Sequence, residues 1–131
     1  MPSGSSFRFP KERRVRKRPD FVRVQASPHR ATTKHFVFLF AAGERADAPW
    51  RAGVVVTRKL GGAVERNRIK RVCRECFRKT RDLFPDGVDV VVIARAGAHL
   101  LSQGEVLAEW LGAKRHFEKK GAAARLAKAE K

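Results

Sequence analysis

The densest chemistry in the chain is a run of cations, Arg66-Asn67-Arg68-Ile69-Lys70-Arg71, continued by Arg74, Arg78, Lys79 and Arg81. Guanidinium and ammonium groups in this density bind anions, and Arg can grip one phosphate through two parallel N–H bonds. At about 100° per residue, a helix from Val64 to Phe84 puts Ile69, Val72, Cys73, Cys76, Phe77, Thr80, Leu83 and Phe84 on one stripe. The opposite side collects Asn67, Arg68, Lys70, Arg71, Arg74, Arg78, Lys79 and Arg81. A charged helix face is ordinarily only solvated, but its signs are then mixed. Here Lys70 with Arg74, and Arg74 with Arg78, are like-charge pairs four residues apart, each unfavourable by about 0.2–0.5 kcal/mol. Arg66, Arg68, Lys70 and Arg71 sit in the first turns, where cations oppose the helix dipole by roughly 0.3–1 kcal/mol each. A phosphate reverses the sign of both effects, because free backbone N–H groups, the dipole and the Arg forks then address one anion. The pattern does not separate RNA from DNA.

Other candidate chemistry is weak. Cys73 and Cys76 are spaced as a Cys-x-x-Cys redox pair, yet both fall on the apolar stripe in mid-helix, where burial favours the neutral thiol. His29, His35, His99 and His116 have no ligand spacing with them. No pair of Asp or Glu residues is set for acid/base work, and Glu65 and Glu75 read as local relief for neighbouring cations. The sequence therefore predicts no catalytic residue and identifies no metal ligands, while a phosphate-bridged Mg²⁺ near Asn67 stays open.

Composition agrees. In 131 residues, 30 Lys and Arg stand against 13 Asp and Glu, a formal charge of +17, which favours a polyanion as partner. No apolar run approaches the ~18 residues of a membrane span, and residues 1–8 lack the pattern of a secretory signal. The expectation is a cytoplasmic protein with no membrane partner, no small-molecule substrate and nucleic acid as its leading ligand.

The elements that must position the basic face follow from periodicity. Residues 1–18 read as a flexible basic arm, 19–118 as a single domain, and 119–131, rich in Lys and Ala, as a disordered tail. Pro19 to Ala26 fits a short helix, with Pro near the first turn and Ser27-Pro28 as its stop. Lys34 to Ala42 and Arg51 to Thr57 read as strands that pair as a hairpin across a turn at Gly43 to Pro49. Val88 to Ala94 reads as a buried strand, so the basic helix between two strands suggests a parallel pair with a crossover. Ser102-Gln103-Gly104-Glu105 has the form of a capping box, opening a helix to about Glu118 that buries Val106, Leu107, Trp110, Leu111 and Phe117. Alternation assigns Phe36, Phe38 and Phe40 to the core and Val55, Thr57 and Lys59 to a face that turns polar.

The segment Arg58-Lys59-Leu60-Gly61-Gly62-Ala63-Val64-Glu65-Arg66-Asn67-Arg68-Ile69-Lys70-Arg71, followed by Arg74-Glu75 and Phe77, resembles the signature of the bacterial ribonuclease P protein component. Val90-Val91-Val92-Ile93-Ala94-Arg95, Asp20-Phe21 and the Phe36 strand match in order, so the resemblance covers roughly residues 13–118. It implies an α/β (α+β) sandwich like ribosomal protein S5 domain 2, with a mixed sheet and a left-handed βαβ crossover around the Arg-Asn-Arg helix. It further implies that a catalytic RNA, with Mg²⁺ held mainly by RNA, hydrolyses the phosphodiester at the 5′ end of mature tRNA within precursor tRNA. Arg66, Asn67, Arg68, Lys70 and Arg71 would meet that RNA, and the wheel extends the face to Arg74. The single-stranded 5′ leader would lie in a cleft at Phe21, Val37, Leu39, Val55 and Lys59, with Thr57 added by the alternation. This chain departs from the family at Leu39 and Gln25, where aromatic residues are common, so leader recognition is expected to lean on Phe21, Thr57, Lys59 and charge. The alternative is a ribosomal or general RNA-binding protein of the same fold class. A DNA-binding module comes third, because neither a dimer zipper nor a helix-turn-helix pair is recognisable.

Overall fold

The computed structural model describes residues 9–129. Four strands, β1 (His29–Thr32), β2 (Phe36–Ala42), β3 (Arg51–Val55) and β4 (Val88–Ala94), form one sheet in the order β1-β2-β4-β3. β2 runs antiparallel to β1 and β4, whereas β3 is parallel to β4. The predicted hairpin between the second and third strands therefore does not form, because β4 lies between them. Burial gives the reason. Val90, Val91 and Val92 of β4 are all fully buried, and a strand apolar on both faces belongs in the middle of a sheet covered on both sides. β3, which carries Arg51 and Gly53, takes the edge. β1 was not anticipated, since four residues that include His29 and Arg30 give no clear alternation.

The basic helix is α2 (Ala63–Lys79), and it links β3 to β4 as the expected parallel crossover unit. It stops about five residues earlier than its periodicity predicts. Thr80 turns its hydroxyl back onto the Cys76 carbonyl at 2.6 Å, and its backbone leaves the helix at φ −129° and ψ 60°. Leu83 and Phe84 still reach the core, but from a turn.

Strand alternation divides the core into two layers. Phe36, Phe38, Phe40, Val90 and Val92 pack beneath α2, α3 (Gln103–Gly112) and α4 (Lys114–Ala129). The other face is covered by α1 (Arg18–Gln25), where Val24, Leu39 and Val91 form a small buried cluster. The capping box at α3 forms as expected, with Glu105 N–H donating to Ser102 Oγ at 3.2 Å and Ser102 N–H to Glu105 Oε1 at 2.9 Å.

Both chain ends differ from expectation. The tail 119–131 is helical as far as Ala129, because the helix lays Phe117, Gly121 and Ala124 on the sheet. Gly121 permits that approach: a methyl group there would stand 2.5 Å from Pro85 Cγ. The arm 1–18 is packed from Phe9 onward, while its first eight residues lie outside the described residues. Phe9, Arg13 and Val15 are buried, Phe9 stands 5.1 Å from the Phe77 ring, and Val15 N–H donates to the Ala52 carbonyl at 3.0 Å. Two apolar residues in a basic run were enough to draw it onto the edge of β3.

Candidate nucleic-acid interface

α2 is built for the role its sequence suggests. Ile69, Cys73, Cys76 and Phe77 are buried, while Asn67, Arg71 and Arg74 are exposed and Lys70 is half-buried. Gly62 caps the helix and has no side chain to bond its first N–H groups, and the Glu65 side chain folds back beside Gly61 and Gly62. Among the described residues, Lys70, Arg71 and Arg74 form no ion pair, whereas Arg78 holds Glu75 at 2.9 Å. That hydrogen bond keeps the Glu75 carboxyl below its ordinary pKa.

Arg68 is placed differently from the rest. Its guanidinium donates to the carbonyls of His99 at 3.1 Å and Leu101 at 2.8 Å, so it pins the turn after β4 and points away from the shared face. The wheel counted its charge but could not foresee two carbonyls more than thirty residues away. Arg66 remains beside its own turn, with Nε 3.4 Å from the Gly62 carbonyl.

The cleft residues sort in the same way. Phe21, Val37 and Val55 are half-buried around the small cluster beneath α1, joined by Ile93, which the sequence hid inside an apolar strand. Leu39 is only 2% exposed; it is floor under Val24 and no part of the open wall. β3 ends at Val55, and a 3-10 turn from Arg58 to Leu60 follows. Thr57 and Lys59 are exposed beyond the end of β3, where strand alternation does not govern which way they face.

Of the cleft residues, Phe21 alone reaches a cavity of about 340 Å³ between the N-terminal segment, α1, β3 and α2, where it shares the lining with Arg14, Arg16, Lys70 and Arg74. A neighbouring hollow of about 460 Å³ is lined by Asn67, Arg71, Arg74 and Arg78, with Glu75 its one acid. Arg14 belongs to both, its guanidinium 5.4 Å from the centre of the Phe9 ring. Arg14 and Arg16 were missed because the arm was read as flexible; Val15 between them, an apolar residue in a basic run, was the available signal.

The thiols have no such setting. Burial raises Cys73, and burial pushes Cys76 up to about 12, so neither offers a thiolate for redox exchange. No group of three or more His, Cys, Asp or Glu that could hold a metal ion occurs among the described residues. Nor is any helix among them long and apolar enough to cross a membrane.

A mixed four-stranded sheet with helices on both faces, and a cation-lined cavity between the basic helix and Phe21 of α1, defines a small basic α+β protein of the nucleic-acid-binding class. The chain belongs to the ribonuclease P protein family, whose model matches residues 9–118. The ribonuclease P protein component of Syntrophobacter fumaroxidans is 44% identical over 110 residues, covering 82% of this chain and 89% of that one. That of Oleidesulfovibrio alaskensis is 44% identical over 82 residues, covering 63% and 66%. The ribonuclease P protein from Thermotoga maritima superposes with a TM-score of 0.70 at 32% identity, covering 80% of this chain and 97% of the other. Family membership sets aside the ribosomal and DNA-binding alternatives.

Proposed function

We propose that this protein is the RNA-binding subunit of ribonuclease P, working in the cytoplasm with a catalytic RNA to remove the 5′ leader from precursor tRNA. The observation that carries this reading is the shared cavity, in which Lys70 and Arg74 of α2 and Phe21 of α1 line one space. One RNA surface can then occupy the α2 face while a single strand runs on into the cleft. Asn67, Lys70, Arg71 and Arg74 bind phosphates of the RNA subunit, with Arg66 at the rim; Arg68 supports the turn beneath them. Phe21 offers a ring to a leader base, Val37 and Val55 line the apolar wall, and the exposed Thr57 and Lys59 address the strand through polar contact and charge.

Phosphodiester hydrolysis belongs to the RNA. Mg²⁺ held mainly by the RNA would supply charge stabilisation for that step. The protein's own part is to neutralise backbone charge and hold the leader in register, which lowers the Mg²⁺ concentration that the RNA needs. The test is cleavage of precursor tRNA by a ribonuclease P RNA at low Mg²⁺, with and without the protein. Addition should accelerate cleavage, and the protein alone should cleave nothing. No acceleration, together with tighter binding to duplex DNA than to either RNA, would defeat the reading.

A further inference from the structure

A helix of eight residues has little stability of its own, so whatever ties α1 to the sheet decides where Phe21 stands. Two fixtures do so. Near its C-terminal end, Arg23 is hydrogen-bonded to Asp89 of β4 and donates to the Ala42 carbonyl at 2.8 Å. The Asp89 side chain is 2% exposed, and it also receives both arms of Arg51 from β3, at 2.9 and 2.8 Å. Asp20 of α1 closes the group, 3.6 Å from Arg23 and 3.7 Å from Arg51. Shifting α1 would take Arg23 off this buried carboxylate and leave it to Arg51 alone, so the pairing favours one placement of the helix.

The second fixture lies under Phe21 itself. Its ring rests on Gly53 of β3, where a methyl group would stand 2.7 Å from Cζ, 2.8 Å from Cε1 and 3.1 Å from the Val15 carbonyl oxygen. Glycine inside a strand weakens it and marks a close approach. Here the approaching group is the ring proposed to meet the leader, and any side chain at 53 would lift it.

We propose that Gly53, Asp89 and Arg23 are positioning residues for the leader grip. Gly53 sets the depth of the Phe21 ring, and the Arg23–Asp89–Arg51 cluster sets the angle of α1 across the sheet. None of the three has to touch the strand. The small cluster of Val24, Leu39 and Val91 holds α1 down, but hydrophobic contact is non-directional and does not fix rotation. The inference rests on the reading of Phe21 as a leader contact.

The test uses holoenzyme reconstituted with ribonuclease P RNA, with binding measured for precursor tRNA carrying leaders of graded length and for mature tRNA. Phe21→Ala is the reference, and Gly53→Ala and Arg23→Gln are the probes. Each probe should reduce the preference for precursor over mature tRNA by about fivefold or more, the lower end of what one stacked base supplies. Affinity for mature tRNA and for the RNA subunit should stay unchanged, and the effect should shrink to nothing as the leader is shortened away. A merely structural role would not produce that dependence on leader length. If Phe21→Ala lowers the preference and neither probe does, or if the probes weaken mature tRNA equally, the positioning roles are wrong. If Phe21→Ala leaves the preference intact, the leader reading itself fails and takes the inference with it. Should Gly53→Ala not fold, Arg23→Gln decides, since its side chain is 42% exposed and its loss leaves the sheet intact.

Discussion

Replacing Lys70, Arg71 and Arg74 together by Gln tests the basic face most directly. Among the described residues none of the three has a carboxylate partner, so their loss strands no acid and removes two unfavourable like-charge contacts. Folding stability should hold or rise by a few tenths of a kcal/mol. RNA binding should respond differently. Each phosphate neutralised contributes roughly 0.7–0.9 to the slope of log affinity against log salt, so three lost contacts flatten the slope by about 2 to 3 units. Between 50 and 200 mM salt, the wild type should then lose about 20- to 40-fold more affinity for ribonuclease P RNA than the triple variant does. Filter binding or fluorescence anisotropy across that range reads the slope, and a thermal melt checks the fold. Arg68→Gln is the contrast: its two carbonyl bonds predict a stability loss of roughly 1–2 kcal/mol with little change in slope. If the triple variant keeps the wild-type slope, or Arg68→Gln flattens it as much, the division of this helix into phosphate-binding and supporting cations is refuted.

Three further outcomes follow from the packing. Phe117 is fully buried, its ring centre 4.3 Å from that of Phe38, so Phe117→Ala should cost about 3–5 kcal/mol in urea unfolding; a loss below ~1 kcal/mol would mean that α4 is not part of the folded core. Cys73 and Cys76 should resist a thiol reagent at pH 8 until denaturant is added, since burial raises both thiols, whereas rapid labelling of the native protein would contradict their placement. Burial pushes Glu109 upward, but hydrogen bonds from Thr33 and His35 outweigh it and leave the group below its usual 4.5. A depressed carboxylate contributes stability above its unfolded pKa and loses it as pH falls through the folded one. Glu109→Gln should therefore flatten the acid limb of the stability curve below about pH 4.5, and an unchanged limb would assign the acid sensitivity elsewhere.

The helix that carries the site was legible because its information is local. A 3.6-residue period placed Ile69, Cys73, Cys76 and Phe77 inside and Arg71 and Arg74 outside, and the structure agrees, with Lys70 half-buried at the boundary. The three buried Phe of β2 and the capping box at Ser102 were local in the same sense. What escaped depends on partners distant in the chain. The place of β4 between β2 and β3 follows from which strand is apolar on both faces, and turn signals at Gly43 to Pro49 carry no record of that competition. Leu39 looked like a cleft wall until Val24 of α1 was seen to cover it. Arg68 resembles its neighbours by type and differs only because His99 and Leu101 return beneath it. Arg14 and Arg16 were hidden by charge density that reads as disorder, although Phe9 and Val15 had enough apolar surface to dock the segment.

That docking also changes what the sheet offers to another chain. β3 is an edge strand, and Arg14 forms a bridge to Ala52 while Val15 N–H takes the Ala52 carbonyl. At the far edge β1 has only four residues, with Arg30 exposed. An open edge is a template for strand addition, and short, charged or covered edges suppress it. A chain cut before Arg16 would keep β2 and β4 paired but uncover the outer side of β3. Its expected failure is self-association through exposed backbone, seen as concentration-dependent growth in light scattering while the helical signal persists.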